Sequence, residues 1–184
     1  MKRLFSALAL TLIAVLTLAA CGSGSSGGSS SSDFNDADVT FVQDMIPHHK
    51  QAVQMSKMAA TNASAPEVKD LAKEIDAAQG PEIETMQGWL KDWDKSQGGS
   101  MGGMGEGGMS GMMSGGEMKS LRAAKGAAFD QMFLNMMIAH HTGAIEMAQA
   151  EQKDGKNADA KALAEDIEQA QTDEIALMNK ILDS

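Results

Sequence analysis

The 184-residue chain has no tyrosine, only two tryptophans and a single cysteine, Cys21. One cysteine excludes an intrachain disulfide, and its place near the N-terminus leaves the body of the chain without a thiolate. Aromatic residues make up 4% of the composition, and 15 Lys and Arg stand against 25 Asp and Glu, a formal net charge of −10. Nucleic-acid binding needs a basic footprint and stacking platforms, and this chain has neither. The same acidity disfavours docking on anionic lipid. No segment sustains the apolar–polar alternation and β-branched runs that hairpins need. What remains is a helical chain.

The longest apolar run, Leu4 to Leu18, follows Lys2 and Arg3 and is too short for a stable membrane span. It leads into Leu18-Ala19-Ala20-Cys21, which resembles the lipobox of bacterial lipoproteins. That resemblance implies a signal peptide over residues 1–20, cleaved before a lipidated Cys21. The product would be exported, held by lipid on the outer face of the cytoplasmic membrane or in the periplasm. Losing the positive Lys2 and Arg3 takes the net charge from −10 to −12. Residues 21–32 then read as the lipidated cysteine and a flexible Gly/Ser tether. Residues 33–184 are enough for one domain.

That domain is one unit written twice. Shifted by 92 residues, the sequence matches itself without a gap at about a third of positions from Asp38 to Leu90. His48-His49 falls on His140-His141, Met45 on Met137 and Met55 on Met147. Gln79, Glu82 and Met86 fall on Gln171, Glu174 and Met178. In each copy apolar residues recur at three- and four-residue steps along two segments, so each copy predicts a helical hairpin. Ser64-Ala65-Pro66-Glu67 carries a capping-box start for the second helix, and the third helix is expected from about Lys119 to Gln152. The expected fold is all-α: a four-helix bundle of ferritin-like type, built from two duplicated hairpins. The first repeat spans 33–95, a Met/Gly-rich crossover 96–118 and the second repeat 119–184.

All four histidines lie in the two pairs, within DMIPHHKQAVQM (Asp44 to Met55) and MMIAHHTGAIEM (Met136 to Met147). Met45 precedes His48 by three residues and Met55 follows it by seven, so both lie near the His48 face of the helix. Met137 and Met147 repeat this about His140, and Met136 adds a thioether four residues before it. Imidazole suits several transition metals, whereas thioether sulfur selects Cu(I) and its analogue Ag(I). The expected ligand is therefore copper as Cu(I), with no organic cofactor. The metal set is His48, His49, His140, His141, Met45, Met55, Met137, Met147 and Met136. The crossover supplies weaker, mobile donors in Met101, Met104, Met109, Met112 and Met113, with Met118 at its end. Gln79, Glu82, Gln171 and Glu174 interrupt apolar seams, and histidines on facing helices are their natural partners.

A carboxylate di-iron oxidase needs Glu-x-x-His, yet Met45, Ile46, Met137 and Ile138 stand three before the histidines. No His-Glu-x-x-His zinc motif and no phosphate-cradling loop occurs either. A non-enzymatic role is expected. A structural or interaction module at the cell surface, and a redox metalloenzyme, are the alternatives. A protein partner for copper transfer and a homo-oligomer are both compatible with this reading.

The doubled Met-x-x-His-His-x-x-Ala-x-x-Met pattern, Met45 to Met55 and Met137 to Met147, resembles the domain of unknown function 305 family. Its members are exported bacterial proteins with ferritin-like helical bundles, often in tandem halves, some implicated in periplasmic copper binding and resistance. The resemblance covers residues 33–184 and implies metal binding by the same histidines and flanking methionines.

Overall fold

The computed structural model describes residues 33–98 and 109–184. The leader, Cys21, the tether, Met101 and Met104 lie outside the described residues. Ser32–Ser184 forms one compact unit, and every contact below lies within it.

The described residues form five helices: α1 (Asp36–Asn62), α2 (Pro66–Asp92), α3 (Gly115–Ala123), α4 (Ala127–Asp154) and α5 (Ala158–Leu182). Hairpins α1–α2 and α4–α5 pack along their lengths, and α1 lies against α4 to join them into a bundle. The expected third helix is two. Ala124, in extended backbone, ends α3, and Gly126, at φ 60°, is the N-cap that starts α4. The crossover also ends earlier than expected. Ser114 and Glu117 form a reciprocal capping box that starts α3 at Gly115, and Met118 is buried inside that helix. Pro47 and Pro81 lie within α1 and α2, and both helices continue through them. No described helix is long and apolar enough to cross a membrane.

The core has two apolar clusters. One holds Phe41, Met45, Met86 and Leu90 of α1 and α2, with Ala144, Ala148 and Ile167 of α4 and α5. The other holds Met55, Leu71, Ile75, Leu121, Phe129, Phe133, Met137 and Met178. The four histidines are buried and belong to neither.

The hairpins are tied by a reciprocal pair of aspartates. Asp38 on α1 accepts hydrogen bonds from the backbone N–H of Lys156 (2.9 Å) and Asn157 (2.8 Å), in the turn of the other repeat. Asp130, its duplicate on α4, accepts from the backbone N–H of Ser64 (3.0 Å) and Ala65 (3.0 Å) and from the Ser64 hydroxyl. The capping box expected at Ser64 therefore does not form: Ala65 is the N-cap, without a side-chain bond, and Ser64 is engaged by Asp130. Each hairpin turn is thus closed by a carboxylate from the opposite half. Asp130→Ala removes a charged acceptor from three donors and is expected to cost about 3 kcal/mol. A fall in the urea midpoint with Asp130→Asn intermediate is the expected reading; an unchanged midpoint would show that the turn closes without it.

Candidate metal centre

Successive helical residues point about 100° apart, so adjacent histidines must address different neighbours. His48 faces across the bundle and meets its own duplicate: the His48 and His140 rings lie 3.7 Å apart between centroids, tilted by 37°. His49 faces its hairpin partner, its Nε2 standing 2.7 Å from Glu82 Oε2 on α2. His141 repeats this with Glu174 on α5 at 2.6 Å. One contact set therefore appears twice about a pseudo-twofold axis, and the His48–His140 pair straddles that axis.

Exposure of the four histidines is 0–1%. Burial pushes His48 down from its usual value to about 3, helped by the neighbouring His49; the Ser110 carbonyl opposes the shift. Burial likewise pushes His140 down to about 2, with His48, His141 and His49 adding to it. Both rings are neutral at ordinary pH, the form that binds metals.

The partners set which ring nitrogen is free. A carboxylate accepts, so Nε2 of His49 and of His141 carries a proton directed at its glutamate. His48 Nε2 lies 3.2 Å from the Ser110 carbonyl oxygen and donates to it for the same reason. Nδ1 of all four histidines is buried without a hydrogen-bond partner, and His140 Nε2 is as well. Buried polar atoms are nearly always paired, so five orphaned imidazole nitrogens in one layer mark a site built for something other than packing. Glu82 and Glu174 are about one-fifth exposed, 21% and 20%, so each carboxylate keeps water on its outer side.

Sulfur lies to either side. Met45, Met86 and Met147 belong to one apolar cluster. Their duplicates Met137, Met178 and Met55 belong to the other. Met45, Met55 and Met137 are fully buried, and Met147 and Met136 half-buried. Met86 and Met178, outside the expected metal set, are as fully buried as Met45 and Met137. Their repetition at the 92-residue offset was the available signal. Among the described residues no three His, Cys, Asp or Glu side chains are arranged to hold a metal ion. A centre of three or four donors without side-chain movement would therefore need thioethers beside the imidazoles. Gln79 and Gln171 are buried with their carbonyl oxygens unpartnered and bond to no histidine, unlike Glu82 and Glu174.

The far end of the crossover reaches this layer. Besides the Ser110–His48 contact, the Met113 backbone exchanges two hydrogen bonds with the Gln51 side chain, at 2.7 and 2.9 Å. Met109, Met112 and Met113 are half-buried, and Met113 packs on the core. These three do not belong to a free arm; they lie against the bundle.

Residues 38–182 match the family model described as domain of unknown function (DUF305). Among solved structures, a DUF305 protein of Streptomyces coelicolor named as secreted is 34% identical, with a TM-score of 0.75, over 80% of this chain and 91% of that one. A DUF305 fragment from Deinococcus radiodurans is 27% identical, with a TM-score of 0.72, over 81% and 97%. CopM in its Cu(I)-bound form is 29% identical, with a TM-score of 0.68, over 79% and 95%. CopM also appears in Cu(II)-bound and silver-bound forms. No curated protein matches this chain in sequence. With the family model spanning both repeats, the chain belongs to the DUF305 family.

Proposed function

We propose that this chain is an extracytoplasmic, lipid-anchored protein that binds Cu(I) in order to scavenge, buffer or hand on the metal. The observation that carries the reading is the layer of four buried imidazoles whose Nδ1 atoms have no hydrogen-bond partner, with His48 and His140 at its centre held neutral by burial. Glu82 and Glu174 fix the tautomer and ring orientation of His49 and His141, as carboxylates do behind metal-bound histidines. Thioethers from Met45, Met55, Met137 and Met147 complete a soft donor set, with Met86 and Met178 as further candidates. Methionine has no proton to lose, so it stays a donor where a thiol would be oxidised or protonated. Similarity to CopM supports the same assignment. Export and anchoring rest on Leu18 to Cys21. Cargo would pass from this centre to a protein partner or remain buffered.

The test is a Cu(I) titration of residues 22–184 against a chromophoric competing chelator, run beside the quadruple His48→Ala, His49→Ala, His140→Ala, His141→Ala variant. Tight binding by the wild type and its loss in the variant are expected. Failure of the wild type to compete would overturn the reading.

A further inference from the structure

Among the positions where the two repeats differ beside the histidines, the crossover accounts for one. Gln51 and Gly143 are duplicates under the 92-residue shift. Gln51 holds the Met113 backbone through both its amide nitrogen and its amide oxygen. On the other helix, a side chain at Gly143 would run into the Ser110 carbonyl group. One repeat grips the crossover and the other makes room for it.

Between these points the chain makes a tight turn. The Met112 N–H donates to the Met109 carbonyl at 3.0 Å, and Gly111 has φ 76°, the value that such a turn requires at its third residue. A Cβ on Gly111 would meet the Ala139 carbonyl oxygen at 2.6 Å. The Ser110 hydroxyl donates to Glu146 at 2.6 Å, and the Ser110 carbonyl accepts from His48. This segment therefore touches α1 and α4 together, directly over the His48–His140 pair.

We propose that Met109–Met113 is a strap closing the bundle over His48 and His140, with Gln51 its latch and Gly143 its seat. Solutes reach the histidine pair when the strap lifts. Gln51 and Gly143 are then positioning residues, acting through the strap and not as metal donors. If the centre carries Cu(I), which rests on the function proposed above, metal enters and leaves by this route. Met109 and Met112 would move with the strap, carrying thioethers between solvent and the histidine layer.

The experiment compares residues 22–184 as wild type, Gln51→Ala and Gly143→Ala, by two readouts. The first is the rate of diethyl pyrocarbonate modification of the metal-free protein at pH 7, assigned to His48 and His140 by peptide mass analysis. The second is the rate of Cu(I) transfer to a competing chelator. Removing two hydrogen bonds from the latch should raise both rates roughly ten- to thirtyfold. Gly143→Ala is the sharper variant, because alanine favours the helix more than glycine and by itself would tighten α4. Faster modification in a variant with an equal or higher melting temperature is expected of a strap and not of simple destabilisation. Unchanged modification rates in both variants would overturn the proposal. Faster modification with no Cu(I) bound by any of the three would uphold the strap and sink the copper reading instead.

Discussion

Replacing His140 by leucine should make the metal-free bundle more stable while cutting its affinity for Cu(I). His140 is 1% exposed and neither ring nitrogen has a hydrogen-bond partner. A buried polar atom left unpaired costs about 1–3 kcal/mol, and an apolar group of similar shape removes that cost. Allowing for imperfect packing, a gain of about 2 kcal/mol is expected, or roughly 4–8 °C in melting temperature for a domain of this size. Affinity for Cu(I) should fall by about two orders of magnitude or more, since losing even a residue behind a ligand costs ten- to a hundredfold. The wild type should gain stability with Cu(I) by mass action, and the variant should gain far less. Opposite signs for stability and affinity distinguish a binding centre from a packed core. Lower stability of the metal-free variant with unchanged Cu(I) binding would make His140 a structural residue and remove it from the centre.

Much of this arrangement was legible in the sequence because duplication makes a pattern count twice. The helical period, the two hairpins and the paired histidines each recur at the same offset. Glu82 and Glu174 stood out as carboxylates on an apolar seam, and burying a carboxylate requires a partner, which His49 and His141 supply. Gln79 and Gln171 shared that signal without acquiring the same contact, since amides tolerate burial at lower cost than charges.

Long-range partners were what the sequence concealed. Ser64 carries a local capping signal, but Asp130 competes for it from 66 residues away. A Gly-rich crossover reads as linker, because nothing within it indicates that Gln51 and Gly143 will hold its far end. The break between α3 and α4 was signalled by Gly126, but the surrounding helical periodicity outweighed a single glycine. Symmetry explains what the copies share, and only function or packing explains where they part.

Stability should depend on pH through the buried histidines and one buried glutamate. His48 and His140 are pushed down to about 3 and about 2 when folded, from the ordinary 6.5. Below pH 6.5 the unfolded chain takes up two protons that the folded bundle refuses, so stability falls as pH falls. Glu151 acts oppositely. It is 1% exposed where its duplicate is Ala59, and burial and the neighbouring Asp38 carboxylate push it up to about 8 from 4.5. Between pH 4.5 and 8 the folded bundle keeps a Glu151 proton that the unfolded chain has lost, so this contribution to stability declines as pH rises. Stability should peak near pH 6.5. From there to pH 4.5 two imidazole protons oppose one carboxyl proton, a net slope of about 1.4 kcal/mol per pH unit; below 4.5 the offset ends and the slope roughly doubles. Urea melts of the metal-free chain from pH 3.5 to 9 would show this bend. Glu151→Gln should flatten the alkaline limb and steepen the limb between 4.5 and 6.5, whereas His140→Leu should halve the slope below 4.5. Cu(I), if held by the neutral imidazoles, should move the acid limb to lower pH because it stabilises the form without those protons. Stability that instead rises from pH 6.5 down to 4.5 would leave Glu151 acting alone, and would mean that the histidines take up protons without unfolding the bundle and that their burial is easily relieved.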